Sequence, residues 1–154
     1  MTFLMSTQAC YRSTMAGSDM ADFTYLLDTN ILSHLIRNPR GRVAQHIAHV
    51  GEKTVCTSIV VACELRFGSE KSGSAPLRAR VEQLLRVLEV VTMDVGTDVH
   101  YAEIRAGLER SGEPIGPNDL LIAAHARSNN MTLVSANIRE FSRVPGLSVE
   151  NWLS

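Results

Sequence analysis

Apolar and polar positions follow two rhythms along this chain, and the organised pattern begins at Phe23. Residues 23–27 (FTYLL) form a short apolar run of strand type, followed at once by Asp28-Thr29-Asn30, residues suited to a helix N-cap. Ile31, Leu32, Leu35 and Ile36 then recur at helical spacing until Asn38-Pro39 ends the helix. The same reading predicts an amphipathic helix over 42–50, a buried strand over 54–57, and a helix opened by Ser58 that runs to Gly68. Residues 71–75 (KSGSA) read as a loop, and Pro76 suits the first turn of a helix over 77–88. A β-branched strand over 90–93 and a helix over 97–111, stopped by Gly112 and Pro114, come next. Gly116 as cap and Pro117 at the first position then start a helix that reaches Asn129. A strand over 132–135, a helical turn over 138–141 and a short strand over 147–149 complete the chain.

Strands alternating with helices predict one α/β domain, a parallel sheet covered on both faces. In such sheets the functional crevice opens at the C-terminal ends of the strands. The domain is expected over 23–154. Residues 1–22 show no good period, no basic start and no long apolar stretch, so they do not resemble a signal peptide. They read as a poorly ordered extension or as the product of an upstream start codon, with Met5, Met15 and Met20 as alternative starts.

Composition narrows the picture. With 45% hydrophobic but only 5% aromatic residues, the core of this 154-residue chain must be aliphatic. No apolar run reaches the roughly 18–20 residues of a membrane span. A net charge of −1 argues against a general nucleic-acid coat protein, which would neutralise phosphate with its own cations. It argues less against a nuclease whose metal ions bring positive charge. Thirteen Arg against two Lys favours planar phosphate-binding forks, although a GC-rich genome produces the same bias. Cys10, Cys56 and Cys63 are odd in number and lack zinc-site spacing. Cys56 and Cys63 are expected to pack in apolar surroundings as free thiols of a reduced, cytoplasmic protein.

Three carboxylates stand out. Asp28 ends the first strand, where the crevice should be, but taken alone it reads first as a helix N-cap. Glu64 lies inside the helix 58–68 with Val60, Val61, Phe67 and Gly68 beside it on the wheel, while Arg66, Ser69 and Glu70 fall roughly opposite. It is therefore expected on the apolar side, where a carboxylate needs a partner, a proton or a metal; a salt bridge stays open. Asp119 opens a helix that is apolar nearly all round, beside small Ala123 and Ala126. The helix dipole favours an anion there, and ordinary capping explains it as well. If the three converge, a hard divalent cation is the natural counter-charge, and Mg²⁺ takes one or two carboxylates plus water and substrate phosphate. No zinc motif offers an alternative. The five histidines (His34, His46, His49, His100, His125) form no nucleophile pair and are expected at the surface or its boundary.

The segments YLLDTNILSHLI (25–36), TSIVVACELRFG (57–68), PIGPNDLLIAAHAR (114–127) and LVSANIREFSRVPGLSVENW (133–152) resemble the successive motifs of PIN-domain ribonucleases. Among these they are most similar to VapC toxins of bacterial toxin–antitoxin pairs. The resemblance covers the whole organised chain, and four blocks in this order are far more specific than Asp-Thr-Asn alone. It implies a three-layer α/β/α fold around a parallel sheet of about five strands. It also implies that Asp28, Glu64 and Asp119 are catalytic acids holding Mg²⁺ or Mn²⁺. The family's fourth acid corresponds to Glu140, one methylene longer than the usual Asp. Asn30, Ser58, Ser135 and Asn137 match supporting polar positions, although Asn137 also reads as a plain loop residue. The implied activity is metal-assisted hydrolysis of RNA, with transfer RNA the expected substrate. The implied partners are a VapB-like antitoxin, a second copy of the chain, and a larger DNA-binding complex.

Rival classes fit less well. A haloacid-dehalogenase phosphatase needs a second Asp where Asn30 stands, and a receiver domain needs further early acids and a late Lys. A PIN fold kept as a catalytically weak binding or regulatory module remains the alternative, and survival of the acids discriminates against it.

Overall fold

The computed structural model describes residues 23–154. The expectations for residues 1–22, including Cys10 and the alternative start positions, lie outside the described residues. Five strands, β1 (Tyr25–Leu27), β2 (Val55–Ser58), β3 (Glu89–Val91), β4 (Thr132–Val134) and β5 (Val149–Glu150), form one sheet in the order β3-β2-β1-β4-β5. Every pairing is parallel. Leu26 and Leu27 of β1 and all of β2 are buried, as expected for central strands covered on both faces.

The helices are α1 (Thr29–Arg37), α2 (Arg42–Val50), α3 (Ile59–Ser72), α4 (Ala75–Val87), α5 (Thr97–Arg110), α6 (Pro117–Ser128) and the single turn α7 (Ile138–Phe141). Right-handed crossovers from β1 to β2 to β3 put α1 to α4 on one face. Those from β3 to β4 to β5 put α5 to α7 on the other. Packing agrees: α1, α3 and α4 touch one another, and α5 lies along α6. The expected three-layer α/β/α architecture is what forms. Strand progression reverses direction between β1 and β4, and this switch point is where such sheets leave a crevice.

The core is aliphatic around Leu26, Leu27, Ile31, Leu32, Ile122, Leu133 and Val134, with Phe141 as its largest fully buried side chain. Trp152 closes one edge against Tyr25 and His46. Among the described residues, no helix is long and apolar enough to cross a membrane.

Local differences have local causes. The five-residue loop expected at 71–75 shrinks to Gly73 and Ser74, because Lys71 and Ser72 continue the exposed face of α3. Gly73, at φ 67°, ends that helix in the left-handed conformation, and the Ser74 hydroxyl accepts from the Leu77 amide to start α4. A 3₁₀ turn at Glu52–Thr54, unmarked in the sequence pattern, leads into β2. The third strand sits one residue early, at Glu89–Val91, and the last covers only Val149–Glu150.

Burial corrects four expectations. Cys56 is buried, but Cys63 is exposed. Phe67 is 66% exposed, whereas Ser69, expected on the polar side, is buried with its hydroxyl donating to the Arg66 carbonyl. The buried stripe of α3 runs through Val61, Ala62, Leu65 and Ser69, so Cys63 and Phe67 face away from it. His125 is wholly buried, unlike the surface position expected of all five histidines. It lies on α6, whose residues from Ile122 to Ala126 are buried without interruption.

Candidate active site

Five chain segments meet at the switch point, and each brings a polar group. Asp28 leaves the end of β1 and is buried. Its Oδ1 accepts from the Thr29 amide at 2.8 Å, so the cap reading was correct. Its Oδ2, however, accepts from Ser135 Oγ at 2.7 Å and from Asn30 Nδ2 at 3.3 Å, and a cap needs neither. Ser135 follows β4, so this contact joins the two strands that flank the crevice. Asn30 Oδ1 in turn accepts from the Ala136 amide at 2.9 Å, and the Asn137 amide donates to Ser135 Oγ at 3.0 Å. Asp28 is thus gripped on both oxygens by a closed set of donors. Burial still pushes its pKa up, with the Glu64 charge adding to the effect and the Ser135, Thr29 and Asn30 bonds opposing it.

Glu64 occupies the rim of α3's buried stripe and is half-buried. Among the described residues it has no ion-pair partner. Its Oε1 accepts instead from Thr29 Oγ1 at 2.8 Å. Thr29 is therefore a site residue that sequence reading passed over. It was visible only as the middle of a capping triplet, and no helical or strand period pairs it with a residue 35 positions on.

Asp119 stands in the first turn of α6, with Gly116 as the cap. Its pKa rises from 3.8 to about 6, first through burial, then through the charges of Asp28, Glu140 and Glu64, and through a hydrogen bond shared with Glu140. Three other carboxylates therefore act on Asp119, which places all four acids in one electrostatic cluster. Glu140, on α7, accepts from Asn137 Nδ2 at 3.0 Å. Asn137 is accordingly a bridge, with its amide on Ser135 and its side chain on Glu140.

Among the described residues, Ser58 makes no side-chain hydrogen bond to the acids. Its hydroxyl accepts from the Val60 amide at 3.1 Å as the cap of α3 and pairs with His125 Nδ1 at 2.8 Å. Among the described residues, no three His, Cys, Asp or Glu side chains stand close enough to hold a metal ion unaided. The chemistry of the donors fits a divalent cation, since the charges of four carboxylates act together and, among the described residues, no cation pairs with them. A cavity of about 370 Å³ opens beside Thr29 and Glu64 and is bordered by Ser33, Arg37 and Gly68.

An acid cluster at the switch point of a parallel α/β sheet, fixed by hydroxyl and amide donors, is consistent with the carboxylate nucleases that work with divalent metal. Comparison with known proteins agrees and is more specific. The PIN domain family profile matches residues 25–147, and the chain belongs to that family. It is 38% identical over 130 residues to the tRNA(fMet)-specific endonuclease VapC of Salmonella typhimurium, an overlap of 83% of this chain and 97% of the relative. It is 40% identical over 132 residues to ribonuclease VapC2 of Haemophilus influenzae, covering 84% of this chain and 98% of the relative. Among solved structures, the VapBC2 complex of Rickettsia felis bound to a promoter DNA fragment aligns at a TM-score of 0.79 with 35% identity. That match covers 84% of this chain and 99% of the other. The DNA-bound VapBC of Salmonella typhimurium aligns at 0.78 with 35% identity, over 84% and 98% of the two chains.

Proposed function

We propose that this chain is a Mg²⁺-dependent endoribonuclease toxin of the VapC kind, hydrolysing phosphodiester bonds of transfer RNA in the cytoplasm. The observation that supports this reading is that the charges of Asp28, Glu140 and Glu64 all act on Asp119, with no cation offsetting them among the described residues. In this reading Asp28, Glu64 and Asp119 hold the metal, and Mn²⁺ can replace Mg²⁺. When bound, the metal neutralises the acids, activates water for attack and stabilises charge on the phosphate.

The chain's own residues keep the acids in place. Ser135 and Asn30 fix the buried carboxylate of Asp28, so that it presents the same edge to the crevice at each turnover. Thr29 holds Glu64 from the same strand end, and Asn137 couples Glu140 to Ser135. The N-terminus of α6 favours the ionised form of Asp119 against the pull of its neighbours. The RNA 2′-hydroxyl takes no part as nucleophile, so the products carry 5′-phosphate and 3′-hydroxyl ends.

The catalytically weak alternative has little to recommend it, because each acid keeps either a donor of its own or a helix N-terminus. A VapB-like antitoxin restrains the enzyme in this reading, and a basic side chain from it relieves the repulsion that metal otherwise relieves. Two copies of the chain assemble with antitoxin, and the antitoxin supplies DNA binding. The test is the purified chain on total transfer RNA with Mg²⁺, beside Asp28→Ala and an EDTA control. Cleavage that continues in EDTA, or in the alanine variant, overturns the proposal.

A further inference from the structure

The buried histidine of α6 plays no part in the acid cluster, yet it stands between two of the elements that carry it. We propose that His125 is a positioning residue. Through Ser58 it sets the register between α6, which carries Asp119, and α3, which carries Glu64, and so fixes the gap into which a divalent cation must fit. This inference rests on the metal-binding part of the proposed function.

The geometry is specific. His125 is 0% exposed, and its Nδ1 lies 2.8 Å from Ser58 Oγ. Ser58 is itself 0% exposed and ends β2 where α3 begins. Ser58 Oγ also accepts from the Val60 amide, and the direction of its bond to Nδ1 follows the imidazole tautomer. Burial holds the imidazole neutral by lowering its pKa, opposed by the Asp94 carboxylate and a backbone contact at Thr92. Nε2 nevertheless has no partner with hydrogen-bonding geometry among the described residues. The Ser58 bond is therefore the one ring hydrogen bond of His125 with good geometry among the described residues. Among the described residues it is also the one side-chain hydrogen bond from α6 to the β2–α3 joint.

A leucine would fill this site without leaving a buried nitrogen unpartnered. What leucine cannot do is fix a register, because apolar contacts slide where a hydrogen bond does not. The lever is short on both sides. Asp119 is six residues from His125 on the same helix, about 9 Å along the axis. Glu64 lies in the second turn of the helix that Ser58 caps.

Mn²⁺ binding, read from loss of the free-ion EPR signal, tests this without relying on turnover. His125→Asn keeps a polar atom at the Nδ1 position, whereas His125→Gln puts one at the Nε2 end. The Gln variant and His125→Phe are expected to bind Mn²⁺ about tenfold more weakly, with the Asn variant within about twofold of the parent. A purely packing role treats Asn and Gln alike. Ser58→Thr, which keeps the hydroxyl, against Ser58→Ala repeats the comparison from the other end of the bond, and serves if the His125 variants do not fold. Equal Mn²⁺ affinity within each pair overturns the positioning role while leaving the nuclease reading intact. If the parent chain binds no Mn²⁺, the metal reading fails and this inference fails with it.

Discussion

Asp119 offers the sharpest test of the acid cluster, because its charge is held against the preference of its surroundings. Raising its pKa from 3.8 to about 6 corresponds to about 3 kcal/mol if water screened none of it. Asp119 is only half-buried, so screening reduces the effect, and about 1–2 kcal/mol is the reasonable expectation. The sign follows from linkage. Below about pH 4 both folded and unfolded chains hold the proton, and there is no penalty. Between about pH 4 and pH 6 the unfolded chain loses the proton first, so stability falls as pH rises. Above pH 6 the penalty is complete. Asp119→Asn removes the charge and keeps a group that can hydrogen-bond Glu140. In EDTA it should melt about 2–6 °C above the parent at pH 7.5, with the gap closing near pH 4. Saturating Mg²⁺ should also close the gap, by stabilising the parent and leaving the variant where it was. A variant that melts at or below the parent at pH 7.5, or a gap independent of pH, would falsify the claim that burial and repulsion from the neighbouring acids together strain this site.

Other consequences can be checked alongside. Thr29→Val removes the hydroxyl that holds Glu64, and Ser135→Ala removes the shortest bond to Asp28; each should lower the cleavage rate by about 10–100-fold with little change in melting temperature. Mn²⁺ affinity of the parent should strengthen as pH rises through about 6, where Asp119 gives up its proton, and an affinity flat between pH 5 and pH 7 contradicts that assignment. On the stability side, Phe67→Ser should shift unfolding by no more than about 0.5 kcal/mol, while Phe141→Ala should cost about 3–5 kcal/mol in denaturant melts. Equal effects at the two positions would mean that α3 turns a different face to the core.

How much of this the sequence disclosed depends on how local the signal was. The capping triplet at 28–30, Pro117 after Gly116, and the aliphatic spacing from Ile31 to Ile36 act within one or two turns of helix, and the structure places them as expected. Cys63, Phe67 and Ser69 were misplaced because apolar and polar residues of α3 do not segregate cleanly to opposite faces, so its wheel gives no clear direction. Its buried stripe is chosen by α1, α4 and the sheet, which no window of α3 contains. Glu64 was therefore singled out for an exaggerated reason: it sits on the rim of the stripe rather than within it. Asp28, Glu64, Asp119 and Glu140 were named together only through the order of motifs resembling PIN domains. Thr29 and His125 act across 35 and 67 residues of chain, on Glu64 and Ser58, and neither bond has a periodic signature.

The acid cluster also links stability to control. Four carboxylates in one crevice make the empty fold less stable than its aliphatic core would otherwise allow, and any cation that enters recovers part of that loss. On the proposed function, Mg²⁺ would recover it and complete the enzyme. A basic side chain from an antitoxin would recover it and block the enzyme. Because both act on the same charges, their stabilising effects cannot add, and saturation by one must weaken the other by the same factor. The strain around Asp119 is therefore more than a by-product of catalysis. It provides free energy that a small protein partner can use to hold the crevice closed, without needing shape complementarity to the acids themselves.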